Sequence, residues 1–195
     1  FSEGRYRPYY YNYNVSGPEL AGKRIGLIGF GKIAQLLTGI LQAFGTTVFA
    51  FDPYVDPTLI ESFGAVPCSF DELIATCDII SVHARAKKGE PPMFGAPQFA
   101  KMKPTATFVN TARGGLVDYP ALYRALVDGQ IAGAALDVYG LETFDFYKKL
   151  INLENVTATP HIAGSSRETV IRGAIMMAEE VKRFLEEEPL LYQIK

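Results

Sequence analysis

This chain of 195 residues has few cysteines and almost no net charge. Its two cysteines, Cys68 and Cys77, form neither a C-x-x-C pair nor a metal-binding pattern. We therefore expect free thiols, no bound metal and a reducing compartment, with the cytoplasm as the default location. Lysine and arginine number 19 against 21 aspartate and glutamate residues, so the formal net charge is −2 and no basic stripe marks a nucleic-acid surface.

Long apolar runs are missing as well. Glycine or a charged residue interrupts every hydrophobic stretch before it reaches the roughly 18 residues that a membrane span needs. The chain begins at Phe1 instead of Met, and its first residues lack the apolar core of a signal peptide, so we expect it to be trimmed at the front.

What the sequence does contain is an alternation of strand and helix patterns after residue 22. Short apolar or β-branched runs predict six or seven strands, among them 25–28, 47–51, 79–82, 107–109, 131–136 and 156–158. Between them, helical spacing predicts helices at 33–44, 59–63, 69–75 and 121–127, and a last long helix opened by Ser165. Ser69 and Asp118 are expected to cap the helices at 69–75 and 121–127. This order implies a parallel sheet covered on both faces, which is a doubly wound α/β fold of the Rossmann type.

A glycine-rich segment follows the first predicted strand directly and opens the first predicted helix. Gly29, Gly31 and Ala34 give it the form G-x-G-x-x-A, and Asp52 lies 18 residues beyond Ala34 at the end of the second strand. This context predicts a dinucleotide site in which Gly29 makes the tight turn and Gly31 admits a pyrophosphate. The helix N-terminus, with Lys32 and Ile33, would face the phosphates.

Asp52 is expected to accept hydrogen bonds from the adenosine ribose. Because a carboxylate there would repel a 2′-phosphate, the sequence favours NAD over NADP. The alternative is a structural glycine turn that binds no ligand.

Three polar residues stand just beyond later strands, where open α/β sheets place their ligands. They are Arg113, Glu142 and His161. A guanidinium can hold the carboxylate of a 2-oxo acid, an imidazole can pass a proton to its carbonyl, and a carboxylate can orient that imidazole and raise its pKa. The alternative is that each is an unrelated surface or loop residue.

From Gly17 to Leu185 the sequence resembles the D-isomer-specific 2-hydroxyacid dehydrogenases. The resemblance is carried by 29–34 with Asp52, by 110–118, by 135–139 with Glu142, and by 159–164. It implies that Arg113, Glu142 and His161 are catalytic, that Asp137 contacts the nicotinamide carboxamide, and that Thr111 and Ala112 line the nicotinamide pocket. It further implies that His83 and Gly164 lie near the cofactor.

The sequence also departs from the family pattern. Residues 82–87 read V-H-A-R-A-K where the family tends to have L-H-x-P-L-T, so the contacts of this loop with the cofactor are expected to differ. Gly140 and Thr143 replace common acidic or proline positions around Glu142. Formate dehydrogenases of the same superfamily tend to have glutamine at the position of Glu142, so the glutamate argues against formate as substrate.

The resemblance predicts three segments: an arm at 1–20, a dinucleotide-binding domain at 21–188, and the start of a return to a largely absent substrate domain at 189–195. The chain should then bind NAD(H), take a 2-hydroxy or 2-oxo acid, such as phosphoglycerate, as substrate, and turn over poorly by itself. A homodimer is expected, and the tyrosine-rich segment Tyr6–Tyr13 is either a contact between its protomers or a tail that lies on its own domain. The alternative function is an NAD(H)-sensing, corepressor-like protein without significant turnover.

Overall fold

A computed structural model describes residues 17–87, 89–140 and 143–192 of the chain. In that part, seven parallel strands form one sheet in the order β3-β2-β1-β4-β5-β6-β7. The strands are β1 Arg24–Ile28, β2 Thr47–Phe51, β3 Val66–Pro67, β4 Ile79–Val82, β5 Thr107–Asn110, β6 Gly133–Leu136 and β7 Val156–Ala158. The doubly wound α/β prediction is confirmed, with the change of direction between β1 and β4.

Seven α-helices accompany these strands within the described residues. They are α1 Lys32–Ala43, α2 Pro57–Ser62, α3 Phe70–Thr76, α4 Ala96–Lys101, α5 Tyr119–Val127, α6 Phe144–Ile151 and α7 Arg167–Leu185, with a 3-10 turn at Gly114–Leu116. The side chains of Ser69 and Asp118 cap α3 and α5 by accepting the N–H of Glu72 and Ala121. Both caps agree with the sequence prediction.

The strands bury side chains on both faces, as parallel sheets do. In β2, Val48 and Ala50 join one apolar cluster with Ala34 of α1, while Phe49 between them joins a second and larger cluster. This alternation follows from the two-residue period of a strand. The sheet therefore has apolar packing on both faces, and its carboxyl edge carries the predicted site residues that follow β1, β2, β4, β5 and β6.

Some element boundaries differ from the sequence prediction. Strand β6 begins at Gly133 and not at 131, because the N–H groups of Gln130 and Ile131 still bond the carbonyl of Ala125 at the end of α5. The cap of the last helix is Ser166, whose hydroxyl accepts the N–H of Thr169 at 3.0 Å, and not Ser165. Strand β3, helix α4 and helix α6 were missing from the prediction.

The chain divides into two compact units, Phe1–Ala158 and Thr159–Lys195. The first holds the whole sheet. In the second, the chain after α7 folds back, because the N–H groups of Leu191 and Tyr192 donate to the carboxylate of Glu180 at 3.0 and 3.2 Å. Segment Tyr6–Tyr13 lies outside the described residues, and the three predicted segments of the chain stay a prediction.

Candidate functional site

The carboxyl edge of the sheet brings most of the predicted site residues together. Ile28 at the end of β1 pairs with Phe51 of β2 and with Val82 of β4. Val82 pairs in turn with Asn110 of β5, and Asn110 pairs with Leu136 of β6. The residues that follow these strand ends share one edge: Gly29, Asp52, His83, Thr111 and Asp137.

The first glycine of the loop after β1 is required by both its conformation and its surroundings. Gly29 has a φ of 90°, and its N–H donates to the carbonyl of Phe51 at 2.8 Å. A Cβ at this position would lie 2.7 Å from the nitrogen of Ala84 and 2.8 Å from the carbonyl carbon of His83. The loops after β1 and β4 therefore touch through backbone atoms, and only glycine permits that approach.

Gly31, by contrast, faces open space. It precedes α1 with extended backbone angles, and a Cβ on it would meet no described atom within 4 Å. Among the described residues, no side chain caps this end of α1, and its first turn carries no acidic residue. Within the described part of the chain, the N–H groups of that turn have no side-chain partner, which is the arrangement that binds anions at helix N-termini.

The other residues of the glycine-rich segment are either buried in the core or exposed at the surface. Ala34 is fully buried, so the start of α1 packs directly on the sheet. Lys32 and Ile33 are exposed, and Ile33 keeps 71% of its accessible surface. Their contact with a cofactor stays a prediction.

Asp52 is tied to the glycine loop by its carboxylate. One oxygen, Oδ2, accepts the N–H of Phe30 at 2.8 Å, and the other, Oδ1, accepts the N–H of Tyr54 at 2.9 Å. These two bonds fix the carboxylate beside the mouth of the loop, since each oxygen is held by a backbone group. A negative charge in this place suits ribose hydroxyls as donors and opposes a second phosphate.

His83 begins the loop after β4 and is half-buried. Its Nε2 lies 2.9 Å from the hydroxyl oxygen of Ser81. Burial lowers the pKa of the His83 ring, because removal from water disfavours the charged form. This environment suits a positioned loop residue better than a proton donor.

The turn after β5 presents Arg113 through a buried amide. Asn110 is fully buried; its Oδ1 accepts the N–H of Ala112 at 3.0 Å, and its Nδ2 donates to the carbonyl of Arg113 at 3.1 Å. The Arg113 guanidinium donates to the carbonyl of Ala112 at 2.7 Å and is otherwise exposed, as is Thr111. Asn110 thus fixes the backbone of the turn, and among the contacts of the described residues the exposed guanidinium keeps donors for an anionic ligand.

The loop after β6 packs on this turn from the other side. Asp137 is 2% exposed, and its N–H donates to the carbonyl of Asn110 at 3.0 Å. Gly114 is buried, and a Cβ on it would overlap the carbonyl of Tyr139. The hydroxyl of Tyr119 donates to the carbonyl of Val138. Backbone contacts thus fix Asp137 next to the turn that carries Arg113.

A cavity of about 580 Å³ opens beside the turn that carries Arg113. One wall is the loop after β4, in which the sequence departs from the family pattern. The lining residues are Ala86, Lys87, Gly89, Glu90, Pro92, Gly114, Gly115, Val117, Tyr139 and Gly140.

Two of the predicted catalytic residues are not joined to this edge by the structure. Glu142 lies outside the described residues. His161 belongs to the second unit, where it is exposed and has a φ of 58°, which is unusual for a residue other than glycine. Gly164 lies in the same unit, and a Cβ on it would meet no described atom within 4 Å. The convergence of His161 and Glu142 with Arg113 stays a prediction.

Sequence reasoning overlooked the residues that hold the site in shape. Asn110 carries the turn of Arg113, and the signal for it was a polar residue closing an otherwise apolar strand. Tyr54 and Lys87 form a contact between the loops after β2 and β4. Nothing in the spacing of these two residues indicated that they meet.

The sequence matches the NAD binding domain of the D-isomer specific 2-hydroxyacid dehydrogenases over residues 3–163. It is 41% identical over 165 residues to D-3-phosphoglycerate dehydrogenase of Archaeoglobus fulgidus, covering 85% of this chain and 31% of that protein. The Bacillus subtilis D-3-phosphoglycerate dehydrogenase is 36% identical over 178 residues, which cover 91% of this chain and 34% of that protein. The chain spans about a third of the length of these relatives.

Solved structures agree with the sequence matches. The D-lactate dehydrogenase of Lactobacillus jensenii, determined with NAD+, superposes with a TM-score of 0.86 at 30% identity, covering all of this chain and 61% of that one. The NAD-complexed D-isomer specific 2-hydroxyacid dehydrogenase of Lactobacillus delbrueckii ssp. bulgaricus gives a TM-score of 0.84 at 30% identity, with 93% and 58% of the two chains covered.

Proposed function

Because this chain belongs to the D-isomer specific 2-hydroxyacid dehydrogenases, as their NAD binding domain, we propose that it serves hydride transfer between NAD(H) and a 2-hydroxy or 2-oxo acid. The observation that supports this most strongly is the uncapped start of α1 at Gly31 beside the anchored carboxylate of Asp52. An open helix N-terminus and a fixed acid at adjacent strand ends suit the two polar parts of a dinucleotide, its pyrophosphate and its ribose.

In this proposal each strand end contacts a different part of the cofactor. The first-turn N–H groups of α1 bind the pyrophosphate, and Asp52 accepts the adenosine ribose hydroxyls. Thr111 and Ala112 line the nicotinamide pocket, and Asp137 binds the carboxamide. The buried position of Asp137 supports its role as the group that binds the carboxamide, because the bond of its N–H to the carbonyl of Asn110 holds the residue in place.

The edge also carries Arg113, which serves the substrate in this proposal. Bound NAD supplies the hydride acceptor or donor. Arg113 holds the carboxylate of the acid and polarises its carbonyl, because a guanidinium pairs bidentately with a carboxylate. In the roles that the family resemblance implies, His161 gives a proton to the carbonyl oxygen in the direction of reduction, and Glu142 is the carboxylate paired with His161.

The proposal is tested by turnover of the whole protein with NADH and a panel of 2-oxo acids, including phosphohydroxypyruvate and pyruvate. We expect at least one of these acids to be reduced. Failure of the whole protein to reduce any acid in the panel would contradict the proposal.

We also propose that the chain forms a homodimer. Support comes from α1, which has apolar residues on two faces. Ala34 faces the sheet, whereas Leu36, Ile40 and Phe44 lie on the outer face with 75, 58 and 56% of their surfaces exposed. An apolar stripe of this kind is typical of an interface.

Sedimentation of an Ile40→Glu variant tests the dimer against a Val127→Glu control, whose parent residue is 55% exposed on α5. We expect Ile40→Glu to shift the mass toward monomer and Val127→Glu to leave it unchanged. Equal masses for all three proteins would contradict an interface at α1.

We propose a reducing, cytoplasmic location. Both Cys68 and Cys77 are free, and burial raises the pKa of each thiol to about 11, which suits unreactive structural cysteines. Within the described residues, no helix is long and apolar enough to cross a bilayer. Fractionation of cells that express a tagged protein tests the location.

A further inference from the structure

Lys87 joins two loops that are far apart in the sequence. It lies in the loop after β4, and its Nζ donates to the hydroxyl of Tyr54 at 3.1 Å in the loop after β2. The same ammonium is 5.5 Å from the centre of the Tyr54 ring and 3.4 Å from the carboxylate of Glu90. Tyr54 is 81% exposed, and the hydrogen bond from Lys87 holds the hydroxyl end of its ring at the surface.

The place of this contact follows from the strand order. Strand β1 lies between β2 and β4, so a contact from the loop after β2 to the loop after β4 crosses the end of β1, where the glycine loop begins. Tyr54 also donates its N–H to Asp52, and Ala84 touches Gly29. The Lys87–Tyr54 pair therefore stands beside the proposed ribose acceptor, at the adenosine end of the edge.

We propose that Lys87 is a positioning residue for the adenosine half of the cofactor, acting by holding the Tyr54 ring against that half of the site. This inference rests on the proposed function. A tyrosine ring can pack on an adenine, and holding it in place before binding removes the cost of ordering it on binding.

The test is calorimetric binding of NADH, ADP-ribose and reduced nicotinamide mononucleotide to the chain and its variants. Lys87→Met removes the ammonium, and Tyr54→Phe removes only the hydroxyl that Lys87 binds. We expect each change to weaken NADH and ADP-ribose about three- to tenfold, which is the range for one side chain that must be ordered on binding. Reduced nicotinamide mononucleotide should bind unchanged.

The double variant distinguishes an effect of Lys87 through Tyr54 from an effect of the Lys87 charge alone. If Lys87 acts through Tyr54, the double variant should bind NADH no more weakly than either single variant, because each change breaks the same contact. Lys101→Met is the matched control: Lys101 is an exposed lysine that pairs with Asp71 at 2.9 Å in α3. It should bind every ligand as the parent chain does.

Three results would overturn the inference while leaving the proposed function standing. They are unchanged ADP-ribose affinity in Lys87→Met, tighter binding in that variant, and additive losses in the double variant. Additive losses would mean that Lys87 contributes charge alone. Absence of NADH binding by the parent chain would overturn the proposed function and this inference together.

Discussion

The loop after β1 and the turn after β5 lie on one edge of the same sheet, yet they are built in opposite ways. At Gly31 the loop leaves space open and leaves the first N–H groups of α1 without a side-chain cap among the described residues. In the turn after β5, the Asn110 side chain hydrogen-bonds the N–H of Ala112 and the carbonyl of Arg113. Gly114 packs so closely on the backbone of Tyr139 that a Cβ would overlap it. One segment is shaped to receive a ligand, and the other is shaped to hold a side chain still.

Glycines with the same appearance in the sequence can therefore have opposite surroundings at this edge. Gly31 and Gly114 look alike in the sequence, but a Cβ at Gly31 would enter empty space and a Cβ at Gly114 would enter backbone. The comparison predicts that substitutions at the turn after β5 reduce stability, whereas those at Gly31 reduce cofactor binding and leave stability intact.

The largest effect is expected at Gly114. Alanine there places its Cβ on the carbonyl of Tyr139, and neither backbone segment can move without disturbing Asp137. We expect Gly114→Ala to lower the free energy of unfolding by about 3 kcal/mol in urea titration. Gly115→Ala is the control, because a Cβ at Gly115 meets no described atom within 4 Å. Equal stability of the two variants would mean that the close approach of Gly114 to Tyr139 does not require glycine.

Asn110 should come second. Replacing it with alanine leaves the N–H of Ala112 and the carbonyl of Arg113 without their side-chain partner, and we expect a loss of about 2 kcal/mol in unfolding free energy. Asn155→Ala serves for comparison, since Asn155 is exposed and its two bonds are 3.3 and 3.4 Å long. A cost at Asn155 as large as that at Asn110 would argue against a special role for the buried amide.

Gly31 tests the other half of the comparison. A methyl group on Gly31 would project into the space proposed for the pyrophosphate, so NADH should bind about tenfold more weakly, which is 1.4 kcal/mol. The unfolding free energy should stay within about 0.5 kcal/mol of the parent value. Gly39→Ala, also in open space but within α1, should leave NADH binding as it was. Unimpaired binding in Gly31→Ala would show that the ligand lies elsewhere.

The smallest structural effect is expected at Arg113. Its guanidinium is exposed and bonds only one neighbouring carbonyl among the contacts of the described residues, so Arg113→Met should change the unfolding free energy by less than about 0.5 kcal/mol. NADH binding should be unchanged, while reduction of 2-oxo acids by the whole protein should be lost. A large loss of stability in this variant would mean that the arginine holds the turn together.

Local sequence patterns predicted the parts of the fold that depend on local chemistry. The glycine loop and Asp52 at the end of β2 follow from the spacing of those residues along the chain. The caps at Ser69 and Asp118 follow from side-chain hydrogen bonds to a backbone N–H three residues further on. Strand β3 escaped prediction because it has only two residues, and its pairing with β2 depends on the whole sheet.

Helix α1 shows why the rest could not be predicted. Its apolar residues recur on two faces, and periodicity alone does not say that Ala34 and Thr38 are buried while Leu36 and Ile40 are exposed. Contacts between distant segments, such as Lys87 with Tyr54 and Gly114 with Tyr139, arise only when the strands take their order in the sheet.

Binding of NAD(H) at the edge around Gly31 and Asp52 is measured directly by calorimetric titration of the chain with NADH and, for comparison, NADPH. We expect one site of micromolar affinity for NADH and at least tenfold weaker binding of NADPH, because Asp52 opposes the 2′-phosphate. An Asp52→Asn variant should narrow the difference in affinity between the two cofactors. Equal affinity for both cofactors in the parent chain, or binding of neither, would show that Gly31 and Asp52 do not form the proposed NAD(H) site.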